Sequence, residues 1–291
     1  MEIAIHLGAH CTDEEALVRC LLRNRGILAE HGIAVPGPKR YRTLLRDASA
    51  RLAGRIASAE TAQFLLDEIL DQEGAARCVL SFDSFMALPR WALGRGQLYP
   101  GATDRTVALA GLFPGHAVEF HLAIRNPATF LPALLEKQKS GDFNAFIEGT
   151  DPMALRWSDL VQRIRAASPE VPVTVWCDED TPLIWPDVLA AVSGHPPTVT
   201  LEEADAITAA IMSPEGFARM SAYLASHPPQ TPVRRRQIVS AFLDKYALPD
   251  RIEMEVDVPG WDADYVAALT AAYEADCVRI ARLPGVRFIA P

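Results

Sequence analysis

Apolar positions along this chain fall into short runs and into stripes, and the two alternate. Runs at Glu2–Leu7, Arg77–Phe82, Val118–Ile124 and Val171–Cys177 are a few residues long and end in polar residues, which is the signature of strands. Val286–Ile289 has the same form. Between the runs, inward-facing positions recur every three or four residues, as in helices. One stripe is Ala16, Leu17, Cys20, Leu21, Asn24 and Leu28. Others are Leu44, Leu45, Ala48 and Leu52, then Phe64, Leu65, Ile69 and Leu70. This alternation predicts an α/β fold, a mostly parallel sheet flanked by helices.

The segment from about 199 to 258 departs from the alternation. It has helical spacing, proline breaks at Pro214, Pro228, Pro229, Pro232 and Pro249, and no central strand run. It predicts a helical C-terminal subdomain lying against the sheet. A helix over Asp262–Ala281 then returns the chain to the core, and Pro284-Gly285 turns it into the last strand. No flexible linker marks a boundary, so residues 1–291 are expected to form one domain with a helical insertion.

Composition narrows the function classes. The chain has 28 Lys and Arg against 37 Asp and Glu, a formal net charge of −9. That balance excludes nucleic acid as the main partner, because phosphate neutralisation needs clustered cations. The one basic cluster, Arg234-Arg235-Arg236, reads as a solvated helix start. No apolar stretch approaches the ~18 residues of a membrane span. The first residues lack a basic segment followed by a long apolar core, so no signal peptide is expected. The five cysteines, Cys11, Cys20, Cys78, Cys177 and Cys277, are scattered and contain no Cys-x-x-Cys pair. They fit reduced thiols and a cytoplasmic location. Oligomeric state is left open.

Candidate chemistry starts at Gly8-Ala9-His10-Cys11-Thr12-Asp13-Glu14-Glu15. Strand, glycine turn and helix in that order form an anion cradle, since the N–H groups at the helix start and the helix dipole favour negative charge. The residues present oppose that use. Cys11 stands where a lysine would help, and Asp13, Glu14 and Glu15 stand where glycine, serine or threonine belong. Thr12 to Glu15 also reads as a capping box with Thr12 as N-cap, which would satisfy the helix end internally. An incoming anion would meet like charge, of order 4 kcal/mol per pair at ~4 Å for an effective dielectric near 20.

His6, His10 and Cys11 match no standard zinc spacing, and no metal is expected. A reactive Cys11 at a helix start is opposed by the same carboxylates. His116 and His121 read as partly buried structural residues. Trp157, Trp176, Trp185 and Trp261 read as packing, and Asp178-Glu179-Asp180 as a solvated loop.

Several segments resemble bacterial sulfotransferases. Ile5-His6-Leu7-Gly8-Ala9-His10-Cys11-Thr12 is similar to that family's opening His-x-Gly-x-His-Lys-Thr-Gly-Thr. Leu21-Leu22-Arg23-Asn24-Arg25 through Leu28 and Gly32-Ile33-Ala34-Val35-Pro36 resemble its first unit. Val79-Leu80-Ser81-Phe82-Asp83 resembles its Ser-Ser-Glu strand end, and Ala123-Ile124-Arg125-Asn126-Pro127 its Arg-x-Pro segment. Tyr273-Glu274-Ala275-Asp276 through Leu283-Pro284-Gly285-Val286 has the look of its tail. The resemblance runs nearly end to end and weakens between about 195 and 260.

It implies a P-loop-type, sulfotransferase-like fold and a donor, 3′-phosphoadenosine 5′-phosphosulfate (PAPS), with adenosine 3′,5′-bisphosphate (PAP) as its product. By that resemblance Gly8, Ala9, His10, Cys11 and Thr12 would hold the donor phosphosulfate, and Arg125 its 3′-phosphate. Cys11 replaces the family's lysine, and Ala133 replaces a serine two helical turns after Arg125.

Asp83, past a strand end, is the candidate catalytic base; an Asx turn cap is its alternative. For Arg125 the alternative to a phosphate ligand is a buried salt bridge. Two functions follow. One is sulfuryl transfer to a hydroxyl or amine of an unknown small-molecule, carbohydrate or lipid acceptor. The other is a degenerate relative that binds or interacts without PAPS.

Overall fold

The computed structural model describes residues 1–72, 74–139, 141–252 and 256–291. The strands in chain order are β1 (Glu2–His6), β2 (Ile33–Ala34), β3 (Arg77–Ser81), β4 (Leu93–Gly94), β5 (Gln97–Leu98), β6 (Ala117–Ile124), β7 (Val173–Cys177) and β8 (Val286–Ile289). Six of them form one parallel sheet in the order β2-β3-β1-β6-β7-β8, and β4 and β5 make a separate antiparallel hairpin. The helices are α1 (Ala16–Arg23), α2 (Arg25–Glu30), α3 (Pro38–Leu52), α4 (Ala59–Ile69), α5 (Ala102–Ala110), α6 (Pro127–Gln138) and α7 (Phe143–Ile147). They continue with α8 (Trp157–Ala167), α9 (Thr181–Ser193), α10 (Ala206–Ile211), α11 (Pro214–Ser226), α12 (Pro232–Tyr246), α13 (Pro249–Ile252) and α14 (Ala263–Ile280).

Parallel strands need crossovers, and the crossovers cover both faces of the sheet. Alternate residues of each strand therefore enter different cores. Ile3, Ile5, Leu80, Phe120, Leu122 and Val175 face the helices α3, α4, α6, α8 and α14, through Leu45, Leu65, Phe130, Leu160 and Tyr273. Ala4, Val79, Ala123 and Trp176 face α1, α2 and α9, through Leu17, Leu21, Leu28, Trp185 and Leu189. Burial on both sides is why the strand sequences read as continuous apolar runs. The expected inner strand at the N-terminus is β1, paired with β3 on one side and β6 on the other.

The sequence reading missed β2, β4 and β5. Each is two residues long, too short for any periodicity to register. The helix expected at 44–52 begins earlier, at Pro38, which takes the first-turn position that suits proline. The segment expected to be helical carries α10 to α13; residues 253–255 within it lie outside the described residues.

Two buried polar ties hold helices to this frame. Arg77 on β3 is buried, donates to the Val192 carbonyl near the end of α9 at 3.0 Å, and pairs with Glu2 and Glu119. Asp276 on α14 is 3% exposed and accepts from both the backbone N–H and the hydroxyl of Ser158 in the first turn of α8. Its charge complements the α8 dipole as well as two donors. Replacing it with alanine leaves the Ser158 donors buried and unpaired. Asp276→Ala is expected to cost about 2–3 kcal/mol of stability, read as a lower urea midpoint at unchanged slope. An unchanged midpoint would show that the tie contributes nothing net.

Candidate functional site

The loop after β1 is held by a ladder that outlives the strand. Leu7 donates to the His121 carbonyl at 2.8 Å, Ala9 to the Ala123 carbonyl at 2.9 Å, and Ala123 to the Gly8 carbonyl at 2.6 Å. Gly8 sits at φ +95°, and a Cβ there would meet the Asp83 backbone at 3.0 Å. Only glycine fits that approach between the first and third strand ends. Cys11 is buried at φ +56°, and burial pushes its thiol up to about 11, so it stays protonated near neutrality.

The expected capping box is corrected by the structure. Thr12 donates its hydroxyl back to the Ala9 carbonyl at 2.9 Å and caps no helix. Helix α1 begins at Ala16, because Glu14 and Glu15 adopt left-handed backbone, φ +44° and +67°. The cap comes instead from Asp13: its carbonyl accepts from Ala16 N–H at 2.8 Å and its carboxylate from Leu17 N–H at 2.9 Å. Glu15 is turned out to Arg42 at 2.6 Å.

His10 is buried and starts a chain of hydrogen bonds. The Tyr99 hydroxyl accepts from the His10 backbone N–H at 2.9 Å and lies 2.8 Å from Nδ1. If that hydroxyl donates to Nδ1, Nε2 carries the ring proton. Nε2 faces Ser84 Oγ at 3.3 Å, Ser84 donates to Asp83 at 3.0 Å, and Lys137 lies 3.2 Å from the other Asp83 oxygen. Burial lowers the His10 pKa to about 4, so the ring is neutral at pH 7. Burial alone would raise the Asp83 carboxyl; the His10 ring, the Lys137 ammonium and the Ser84 hydroxyl outweigh it and hold it below the usual range. Lys137 also reaches Glu14 at 3.4 Å.

Arg125, at the end of β6, points at the same loop. It donates through Nη1 to the Cys11 carbonyl and through Nε to Thr129 at 3.1 Å, and its own carbonyl accepts from Trp157 Nε1 at 2.8 Å. Asn126 caps α6 through Ala128 N–H at 3.0 Å. Its backbone N–H donates to Glu179 at 2.7 Å, and Glu179 also accepts from Tyr273 at 3.0 Å. The acidic triplet expected to be a solvated loop is therefore part of this edge. Burial, then Glu179, pushes Asp178 up to about 7 against the pull of Arg125, and Asp13 and Glu14 add to the rise. The same causes push Asp180 up to about 6.

The structure thus brings Gly8, Ala9, His10, Cys11, Thr12, Asp83 and Arg125 to one edge of the sheet. The sequence reading missed Tyr99, Ser84, Lys137 and Glu179. Lys137 had a usable signal: it lies one helical turn beyond Ala133 and so shares its face. Tyr99 had none, because it follows the two-residue β5. Among the described residues, no group of three His, Cys, Asp or Glu is placed to hold a metal ion, and no helix is long and apolar enough to cross a membrane.

A cleft of about 1540 Å³ lies away from this edge, between α9 and the helices α10 to α12. Leu189, Leu201, Phe217 and Leu224 line it. The basic cluster expected to be solvated lies partly here. Arg236 pairs with Asp187 at 2.8 Å and Arg235 with Asp205, both arginines mostly covered.

The pH response of the acidic edge follows from Asp178. Its folded pKa lies above its unfolded value, so the folded state binds more protons between about pH 4 and 7, and stability falls as pH rises through that window. Asp178→Asn removes the penalty. The variant is expected to gain roughly 2 kcal/mol over the parent at pH 8, discounted for partial exposure, and nothing at pH 4. Urea titrations of both proteins at the two pH values check this; a gain equal at both would assign it to packing.

No protein-family model matches this chain, and no curated protein matches it. Among solved structures, the crystal structure of a sulfotransferase from Alicyclobacillus acidocaldarius aligns with 82% of this chain and 98% of that one, at 12% identity and a TM-score of 0.36.

Proposed function

We propose that this chain is a binding protein on a sulfotransferase-like α/β scaffold, and that its first loop takes no PAPS. The observation that carries this reading is that both ends of the loop are already bound within the protein. Ala9 and His10 N–H groups are bound to Ala123 and Tyr99, the first N–H groups of α1 are bound to Asp13, and Arg125 holds the Cys11 carbonyl. A phosphosulfate would have to displace these bonds at about 1 kcal/mol each and then sit among Asp13, Glu14 and Asp178. Among the described residues, a large concave surface available to a ligand is the cleft beside α9. Its walls are mainly apolar, with His195, Glu203 and Gln230 among them, and its arginines are matched by Asp187 and Asp205, which suits an uncharged, mainly apolar molecule with a polar group.

One observation favours the transferase instead. Lys137 stands beside Asp83 and Glu14 and acts electrostatically on Cys11, close to where the family's lysine would put its charge. In that reading Lys137 and Arg125 hold the donor and Asp83 takes the acceptor proton.

Calorimetric titration with PAP at pH 7.5 separates the two. No binding at millimolar PAP is expected. Micromolar affinity that falls at least tenfold in Lys137→Ala would overturn the binding-protein reading. The quadruple change Cys11→Lys, Asp13→Gly, Glu14→Thr and Glu15→Thr is expected to tighten PAP at least tenfold, about 1.4 kcal/mol. For the cleft, saturable binding of 1-decanol that is lost in Ala209→Trp is expected; non-saturable partitioning would exclude the cleft as the ligand site.

A further inference from the structure

Cys177 is the last residue of β7, and Cys277 lies in the final turn of α14. Their Sγ atoms are 3.4 Å apart, although 100 residues separate them in sequence. Cys277 is partly exposed, whereas Cys177, at 7%, is buried, as are Cys11, Cys20 and Cys78. The pair thus joins one solvent-accessible thiol to a buried thiol in contact with it.

We propose that Cys177 and Cys277 are a reversible redox pair, which a low-molecular-weight disulfide converts to a cross-link between α14 and the end of β7. Access sets the order of steps. The Cys277 thiolate attacks one sulfur of the small disulfide, forming a mixed disulfide and expelling one thiolate. Cys177 then gives up its proton to solvent and attacks Cys277 Sγ, expelling the second thiolate. Two protein thiols and one small disulfide become one protein disulfide and two small thiols, a two-electron exchange with no other reactant. The second step needs little motion, since the sulfurs must close from 3.4 Å to about 2.05 Å. The hydrogen bond with Cys277 and burial hold the Cys177 thiol well above its ordinary range, which keeps it protonated until its neighbour has reacted.

The cross-link bears on the candidate site. Asp178, Glu179 and Asp180 follow Cys177 directly. Tyr273, one helical turn before Cys277, donates to Glu179, which accepts from Asn126 beside Arg125. Joining the two cysteines fixes the base of that contact from both sides.

The test is incubation of the folded, reduced protein with oxidised glutathione, followed by thiol titration in denaturant and peptide mapping. The titre is expected to fall from five to three, with one cross-linked peptide containing Cys177 and Cys277. The melting temperature is expected to rise by about 5 °C or more, since the closed loop is long, and dithiothreitol should reverse both changes. Cys177→Ser is expected to stop at one glutathione on Cys277, and Cys277→Ser to form no cross-link. Five thiols remaining in the parent protein, a cross-link between another pair, or a persistent glutathione adduct on parent Cys277 would each overturn the proposal.

Discussion

The ladder between β1 and β6 continues past the end of β1, and the site depends on that continuation. A strand that stopped at His6 would leave the next N–H groups free to face a ligand. Here Ala9 still donates to Ala123 and Gly8 still accepts from it. The extension carries the chain over the top of the sheet and against Asp83, where only glycine fits. It also delivers His10 under the Tyr99 hydroxyl. The N–H groups of Ala9 and His10 before the turn, and of Ala16 and Leu17 after it, are thus used on the protein itself. An anion cradle needs donors without partners, and this geometry takes those four out of use.

Charge completes the effect. The edge brings Asp13, Glu14, Glu15, Asp83 and the Asp178–Asp180 triplet around one loop. Several of these are answered by a specific partner: Arg42 for Glu15, Lys137 for Asp83 and Glu14, the α1 donors for Asp13. Asp178 is the group the arrangement leaves under-compensated, and its raised pKa is the record of that. A further dianion at this edge would meet like charge from these carboxylates.

The fold was legible because its signals are long. Strands buried on both faces read as apolar runs, and helices of eleven to eighteen residues read as stripes. The edge was legible in outline, since Gly8–Thr12, Asp83 and Arg125 each follow a strand, and parallel strands share a carboxyl edge. What escaped the reading was the backbone conformation of Glu14 and Glu15. A capping box assumes that the helix starts beside its threonine; left-handed residues move the start three positions on and hand the cap to Asp13. Tyr99 escaped for a different reason. It arrives on a hairpin of two-residue strands held by tertiary contacts, Arg163 among them, that no local pattern encodes.

The chain from Tyr99 through His10, Ser84 and Asp83 to Lys137 has the parts of an acid–base relay, but its energetics favour a clamp. A general base works best with a pKa near the operating pH, and every group here is driven from it: His10 down to about 4, Asp83 below the carboxylate range, Tyr99 well up by burial. The same contacts join four separate segments, the β1 loop, the β3 loop, the turn after β5 and α6. The neutral ring and the ionised carboxylate are each the state their neighbours stabilise. A relay must pass through the opposite states, with His10 charged in a buried position or Asp83 protonated beside an ammonium. His10, Ser84, Asp83 and Lys137 are each held by another residue of the protein, and the edge is rigid for that reason.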